Sequence, residues 1–115
     1  MEDRGRPQTA VLLTGTDDGG LVFAGLWDEW RGPEGSLLSC TIVVGRPNGL
    51  VAEIHDRMVV ILPEDAYATW LNPRTSLDTV RSLMEPYATA RMRAWRVSPT
   101  VGNARNEGAA LIQPV

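Results

Sequence analysis

Ser36-Leu37-Leu38-Ser39-Cys40-Thr41-Ile42-Val43-Val44 is an uninterrupted apolar and hydroxylic run with no charge in it. It reads as a β-strand bounded by turn residues on both sides. A strand this apolar is expected at the centre of a sheet, covered on both faces. Before it, Arg31-Gly32-Pro33-Glu34-Gly35 is a turn. Further back, Leu21 to Trp27 and Thr9 to Thr14 read as two more strands. The cluster Thr16-Asp17-Asp18-Gly19-Gly20 between those two predicts a β-hairpin.

After the apolar strand, Gly45-Arg46-Pro47-Asn48-Gly49 breaks the chain and Leu50 to Ile54 has room for one or two helical turns. Met58 to Leu62 is a fourth strand, β-branched at three of its five positions. Pro63 fits the first position of a helix, with Glu64 and Asp65 where the helix dipole favours negative charge. Ala66, Tyr67, Trp70 and Leu71 would share its buried face, and Asn72-Pro73 ends it. Ser76 is placed to cap a second helix, with Leu77, Val80, Leu83 and Met84 inward and Pro86 as its stop. Met92 to Val97 alternates as an exposed strand does. Short strands joined by turns, with two short helices, predict an α+β fold with antiparallel pairing. At 115 residues the chain makes one domain: a polar start over 1–8 and the domain body over 9–115.

The net charge is −3, and all 11 basic residues are arginine. Residues 1–85 hold seven Arg against 13 acids, a balance of −6, whereas residues 86–115 hold four Arg against Glu107, a balance of +3. That distribution argues against a general nucleic-acid-binding surface but leaves room for a local phosphate contact at the basic end. The polar, charged residues Met1 to Gln8 do not fit a secretory signal, and no apolar run reaches the length of a membrane span. The single cysteine, Cys40, excludes an internal disulfide and any multi-cysteine metal site. No dinucleotide, phosphate-loop, zinc-protease or CxxC signature is present. A cytoplasmic protein without metal or cofactor, and with no membrane partner, is the expectation.

Ile54-His55-Asp56-Arg57 is the only place where a proton-transfer group sits beside both charges. His55 can give or take a proton there, with Asp56 orienting it or pairing with Arg57. The plainer reading is a histidine that is merely hydrogen-bonded. Cys40, inside the apolar strand, reads as a small core hydrophobe, and a hydrolase built on Cys40 and His55 shows no orienting group. Trp27 and Trp30 read as packing residues, with base stacking as the alternative. Arg91, Arg93 and Arg96 read as a solvated face before a phosphate patch.

Three segments together resemble the SOS response-associated peptidase family: Ala24-Gly25-Leu26-Trp27, Ile54-His55-Asp56-Arg57-Met58, and Val101-Gly102-Asn103-Ala104-Arg105-Asn106-Glu107-Gly108 with the Leu111-Ile112-Gln113-Pro114-Val115 ending. Order and spacing agree from about residue 6 to the end. The resemblance implies a curved, barrel-like sheet and an abasic-site processing role on single-stranded DNA. In that chemistry an amino-terminal cysteine closes a thiazolidine ring with the open-chain sugar aldehyde and shields the lesion. By resemblance the acid/base histidine falls on His55 and a phosphate-contacting arginine on Arg57, with Asn103, Arg105 and Asn106 as further DNA contacts.

The chain departs from the pattern at several points. Position 2 is Glu2 and not cysteine, Val44 stands where many members have threonine, and Val59 replaces a common proline. The family's catalytic glutamate and its DNA-gripping asparagine and arginine belong to an amino-terminal half that these residues do not contain. The resulting expectation is the carboxy-terminal half of such a domain, inactive alone, whose partners are abasic single-stranded DNA and either an amino-terminal half or a second copy. The alternative is a non-catalytic structural or interaction domain derived from the family.

Overall fold

The computed structural model describes residues 10–17 and 20–115. The polar start over 1–8 and the Asp18-Gly19 pair of the first turn lie outside the described residues. The strands are β1 (Ala10–Gly15), β2 (Val22–Phe23), β3 (Gly25–Gly32), β4 (Gly35–Ile42), β5 (Val44–Gly45), β6 (Met58–Val59), β7 (Ile61–Leu62) and β8 (Met92–Val97). The helices are α1 (Tyr67–Leu71) and α2 (Leu77–Ser82), with short 3-10 turns such as Val51–Glu53 between elements. The architecture is α+β and every strand pair is antiparallel, as the sequence leads one to expect. The described strands form four two-stranded ladders, not a closed barrel.

Three extended segments meet and part at single residues. β2 pairs with β7, β3 with β4, and β5 with β6. Ala24, Val43 and Val60 are the residues at which each segment changes partner. Their backbones close a ring: Val43 N–H donates to the Ala24 carbonyl at 2.9 Å, Ala24 N–H to Val60 at 2.8 Å, and Val60 N–H to Val43 at 2.8 Å. Each residue in the ring thus has its buried donor and acceptor satisfied without belonging to a ladder. Ala24 is fully buried there. The expected strand Met58 to Leu62 is therefore real in extent but serves two partners, one on either side of Val60.

The hairpin expected between the first two strands does not form. β1 pairs instead with β8, from Ala10 opposite Val97 to Gly15 opposite Met92, and Thr16 N–H extends the ladder to the Arg91 carbonyl at 3.0 Å. The reason is burial. In this register Leu13 packs against a cluster of Val51, Met58, Ile61 and Met92. β8 is consequently not an exposed strand, since Met92 and Val97 at its ends are buried. The second core cluster, Ala24, Val60, Leu62 and Ala66, is covered by Tyr67 and Trp70 of α1 and by Leu83. Trp70 also donates from Nε1 to the Gly25 carbonyl at 3.1 Å, tying α1 to the start of β3.

The helices are short; α2 starts where the sequence predicts, whereas α1 begins only at Tyr67, after a 3-10 turn over Glu64–Ala66. Ser76 Oγ accepts from Thr79 N–H at 3.2 Å, and α1 ends at Asn72. Pro63 lies one step before the helical residues, its carbonyl accepting from Ala66 N–H. Leu71 and Leu77 point away from the core and are exposed.

The largest departure is the apolar strand itself. β4 is exposed at every position, and so is its partner β3 except at Gly32. Trp27 is 75% exposed and Leu38 67%. The cross-strand register puts Ile42, Trp27, Cys40 and Leu38 on one face and Leu26, Trp30 and Leu37 on the other. Cys40 is thus an exposed thiol and not a core hydrophobe, and neither tryptophan packs in a core cluster. An apolar sequence makes a strand, but it does not determine which surface covers it. No helix among the described residues is long and apolar enough to cross a membrane.

Candidate active site around His55

The chain reaches His55 through a pinned turn. Val51–Glu53 forms one 3-10 turn, and the Val51 carbonyl accepts from both Ile54 N–H and His55 N–H at 2.9 Å. The chain then bends at Asp56 and enters β6 after Arg57. The His55 ring meets three groups, all at Nδ1: Arg57 N–H at 3.1 Å, the Arg57 carbonyl at 3.1 Å and Asp56 Oδ1 at 3.2 Å. Deprotonated, Nδ1 accepts from Arg57 N–H and the proton sits on Nε2. Protonated, it donates to Asp56 or to the Arg57 carbonyl. The ring therefore has a partner in either state, which suits a group that exchanges a proton. The His55 side chain is 68% exposed and that of Asp56 88%, so their contact orients the ring more than it stabilises the fold.

Of the two roles open to Asp56, the structure shows the contact with His55. The Arg57 guanidinium, exposed, makes no ion pair among the described residues. An exposed cation two residues from an exposed imidazole in the chain is available for an anionic ligand.

The second candidate segment follows the 3-10 turn Pro99–Gly102. Ser98 Oγ caps that turn at Thr100 N–H, 3.3 Å away. Asn103 Oδ1 accepts from Arg105 N–H at 2.9 Å, and Asn106 Nδ2 donates to the Thr100 carbonyl at 2.9 Å. Each asparagine thus spends one end of its carboxamide on shaping the loop and keeps the other end exposed. No hydrogen bond or ion pair joins the 103–106 loop to the 55–57 turn among the described residues. Two cavities of about 220 Å³ each lie elsewhere, sharing Tyr87 and Arg91 in their walls. Arg91 stacks over the Tyr87 ring at 5.0 Å and faces Asp17 at 3.6 Å. Arg93 lies 5.6 Å from the Trp95 ring centroid. Among the described residues no group of His, Cys, Asp and Glu side chains is placed to hold a metal ion.

Sequence reasoning singled out His55 and Arg57 but missed Asn48, which is buried directly beneath their turn. Within Gly45-Arg46-Pro47-Asn48-Gly49 it looks like one more turn residue, and no local signal distinguishes it.

Comparison with known proteins shows the family. The family model described as SOS response associated peptidase (SRAP) matches residues 2–104. The abasic site processing protein YoqW of Bacillus subtilis (strain 168) is 44% identical over 94 residues, which are 80% of this chain and 42% of that protein. The abasic site processing protein HMCES of Pongo abelii is 34% identical over 99 residues, 83% of this chain and 27% of that one. YedK of Escherichia coli (strain K12), also an abasic site processing protein, is 34% identical over 84 residues. The chain thus spans less than half the length of these relatives. Its fold superposes on a solved protein from Bacteroides thetaiotaomicron with a TM-score of 0.83, at 23% identity, covering 96% of this chain and 50% of that one. A protein from Bordetella bronchiseptica superposes at 0.67 with 32% identity, covering 78% of this chain and 46% of that one. With the family model spanning nearly all of the sequence and several relatives agreeing with it, the chain belongs to the SOS response associated peptidase family.

Proposed function

We propose that this chain supplies the histidine-bearing part of an abasic-site processing domain that acts on single-stranded DNA in the cytoplasm. The observation that carries the reading is the exposed His55 ring, held at Nδ1 by the Arg57 backbone and Asp56, in a chain 44% identical over 94 residues to a protein of that name. His55 moves protons in the condensation of an amine with the sugar aldehyde. Arg57 meets a DNA phosphate, and Asn103, Arg105 and Asn106 offer exposed polar groups to the strand. The thiol and α-amine that close the covalent ring come from the portion of the family domain outside these residues. The second reading, a domain that serves only in interaction, is favoured by the exposed apolar hairpin of β3 and β4, which suits association with another half-domain or a second copy.

Fluorescence anisotropy with an abasic single-stranded oligonucleotide separates the two. The proposed reading predicts weak, salt-sensitive binding whose logarithmic salt slope falls by roughly 0.7 on Arg57→Ala, the loss of one phosphate contact. No binding at low salt supports the interaction-only reading, and an unchanged slope removes Arg57 from the site.

A further inference from the structure

We infer that Asn48 is the positioning residue of the His55 site: it clamps the loop 51–58 at both ends and thereby fixes where the imidazole stands. The inference rests on the reading of His55 as the proton-transferring group.

Asn48 is the one buried polar residue among those described, and each of its hydrogen-bonding groups has a partner. Its Oδ1 accepts from Val51 N–H at 2.9 Å, and its backbone carbonyl accepts from Ala52 N–H at 2.9 Å. Its Nδ2 donates to the Tyr87 carbonyl at 2.7 Å and to Met92 Sδ at 3.3 Å. Its backbone N–H donates to Met58 Sδ at 3.3 Å. Val51 opens the loop that carries His55, and Met58 follows Arg57 directly. One residue therefore holds the loop where it leaves the core and where it returns. Tyr87 and Met92, which belong to the chain leading into and forming β8, anchor the clamp from the opposite side.

A line of short contacts runs from the clamp to the ring. Asn48 Oδ1 holds Val51 N–H, the Val51 carbonyl holds His55 N–H, and His55 Nδ1 holds Arg57 N–H. The His55 and Arg57 residues are exposed, outside both core clusters. Their position is inherited from the backbone beneath them, and that backbone is set by Asn48. A carboxamide is the side chain suited to this task, since it accepts at one end and donates two hydrogens at the other without carrying a charge into the core. Leucine has similar bulk and none of the carboxamide's bonds to Val51, Tyr87 and Met92, while the backbone bonds to Ala52 and Met58 remain.

The test is hydrogen exchange of the 115-residue chain, read by mass spectrometry without DNA. In Asn48→Leu, the amides of His55 and Arg57 should exchange roughly fivefold faster or more, the factor expected for one lost hydrogen bond. The β1 and β8 amides, which report global opening, should accelerate less. The C2 proton of the chain's single histidine should change its rate and pH profile, which a purely structural role distant from the ring would leave alone. If Asn48→Leu does not fold, the unsubstituted protein decides. Val51, His55 and Arg57 amides should then open together, with one shared denaturant dependence. Independent opening of His55 and Arg57, or an unaltered histidine profile in a folded Asn48→Leu, overturns the inference. Neither result depends on whether His55 acts on DNA, so failure here is distinct from failure of the proposed function.

Discussion

Incubated alone with abasic single-stranded DNA, the 115-residue polypeptide should form no heat-stable adduct on a denaturing gel. A thiazolidine incorporates a sulfur and an amine nitrogen from the same cysteine, so the ring closes only where a thiol stands beside a free α-amine. The one cysteine here is Cys40, whose nitrogen is an amide within the β3–β4 ladder, opposite Trp27. Its thiol is exposed and can add to an aldehyde, but the product is a hemithioacetal that reverts on heating. Removing a nucleophile from a site of this kind costs several orders of magnitude in rate. The accessible thiol makes the prediction sharp. A stable adduct that disappears with Cys40→Ala would show that the exposed hairpin carries chemistry of its own.

Ala24→Asp should unfold the protein or lower its stability by about 4 kcal/mol. Ala24 is fully buried, and both of its backbone groups are committed to the ring with Val43 and Val60. A carboxylate there would be packed among Val60, Leu62 and Ala66. Leaving one unpaired charge in such a place costs about 3–5 kcal/mol, a large part of the roughly 5–15 kcal/mol that holds a domain together. Glu34→Gln, at the exposed tip between β3 and β4, should stay within about 0.5 kcal/mol of the parent. Urea denaturation followed by tryptophan fluorescence measures both. A stable, cooperative Ala24→Asp variant would mean that the three segments do not meet at this residue.

The junction also shows where the sequence stops being readable. Leu21 to Trp27, Ser36 to Val44 and Met58 to Leu62 announce themselves as strands through β-branched and apolar composition, and all three hold strands. Their partners are not legible, because pairing is non-local: Val22 lies opposite Leu62 and Val44 opposite Val59. The turn composition of residues 16–20 is therefore not followed by a hairpin of β1 with β2. Ser76 and Asn72-Pro73 mark helix ends correctly because capping is a local matter. The apolar run through Cys40 misleads, since composition reports what a strand would bury and not whether a cover is present in these residues.

The site divides in the same way. His55 and Arg57 stand out in sequence because imidazole, carboxylate and guanidinium are adjacent and match a family segment. Asn48 does not, since its partners Met58, Tyr87 and Met92 lie 10, 39 and 44 residues away. Asn103 and Asn106 are visible as polar loop residues, but only coordinates show that half of each carboxamide is spent on the loop itself.

The most direct measurement replaces the matching 94-residue stretch of YoqW with the corresponding stretch of this chain and follows covalent capture of abasic single-stranded DNA over time. The account predicts that the chimera forms the adduct and that His55→Ala slows it by about 100-fold or more, the usual contribution of a positioned acid/base. Equal rates with and without the His55 imidazole, in a chimera that still forms the adduct, would contradict the assignment of this turn as the catalytic one.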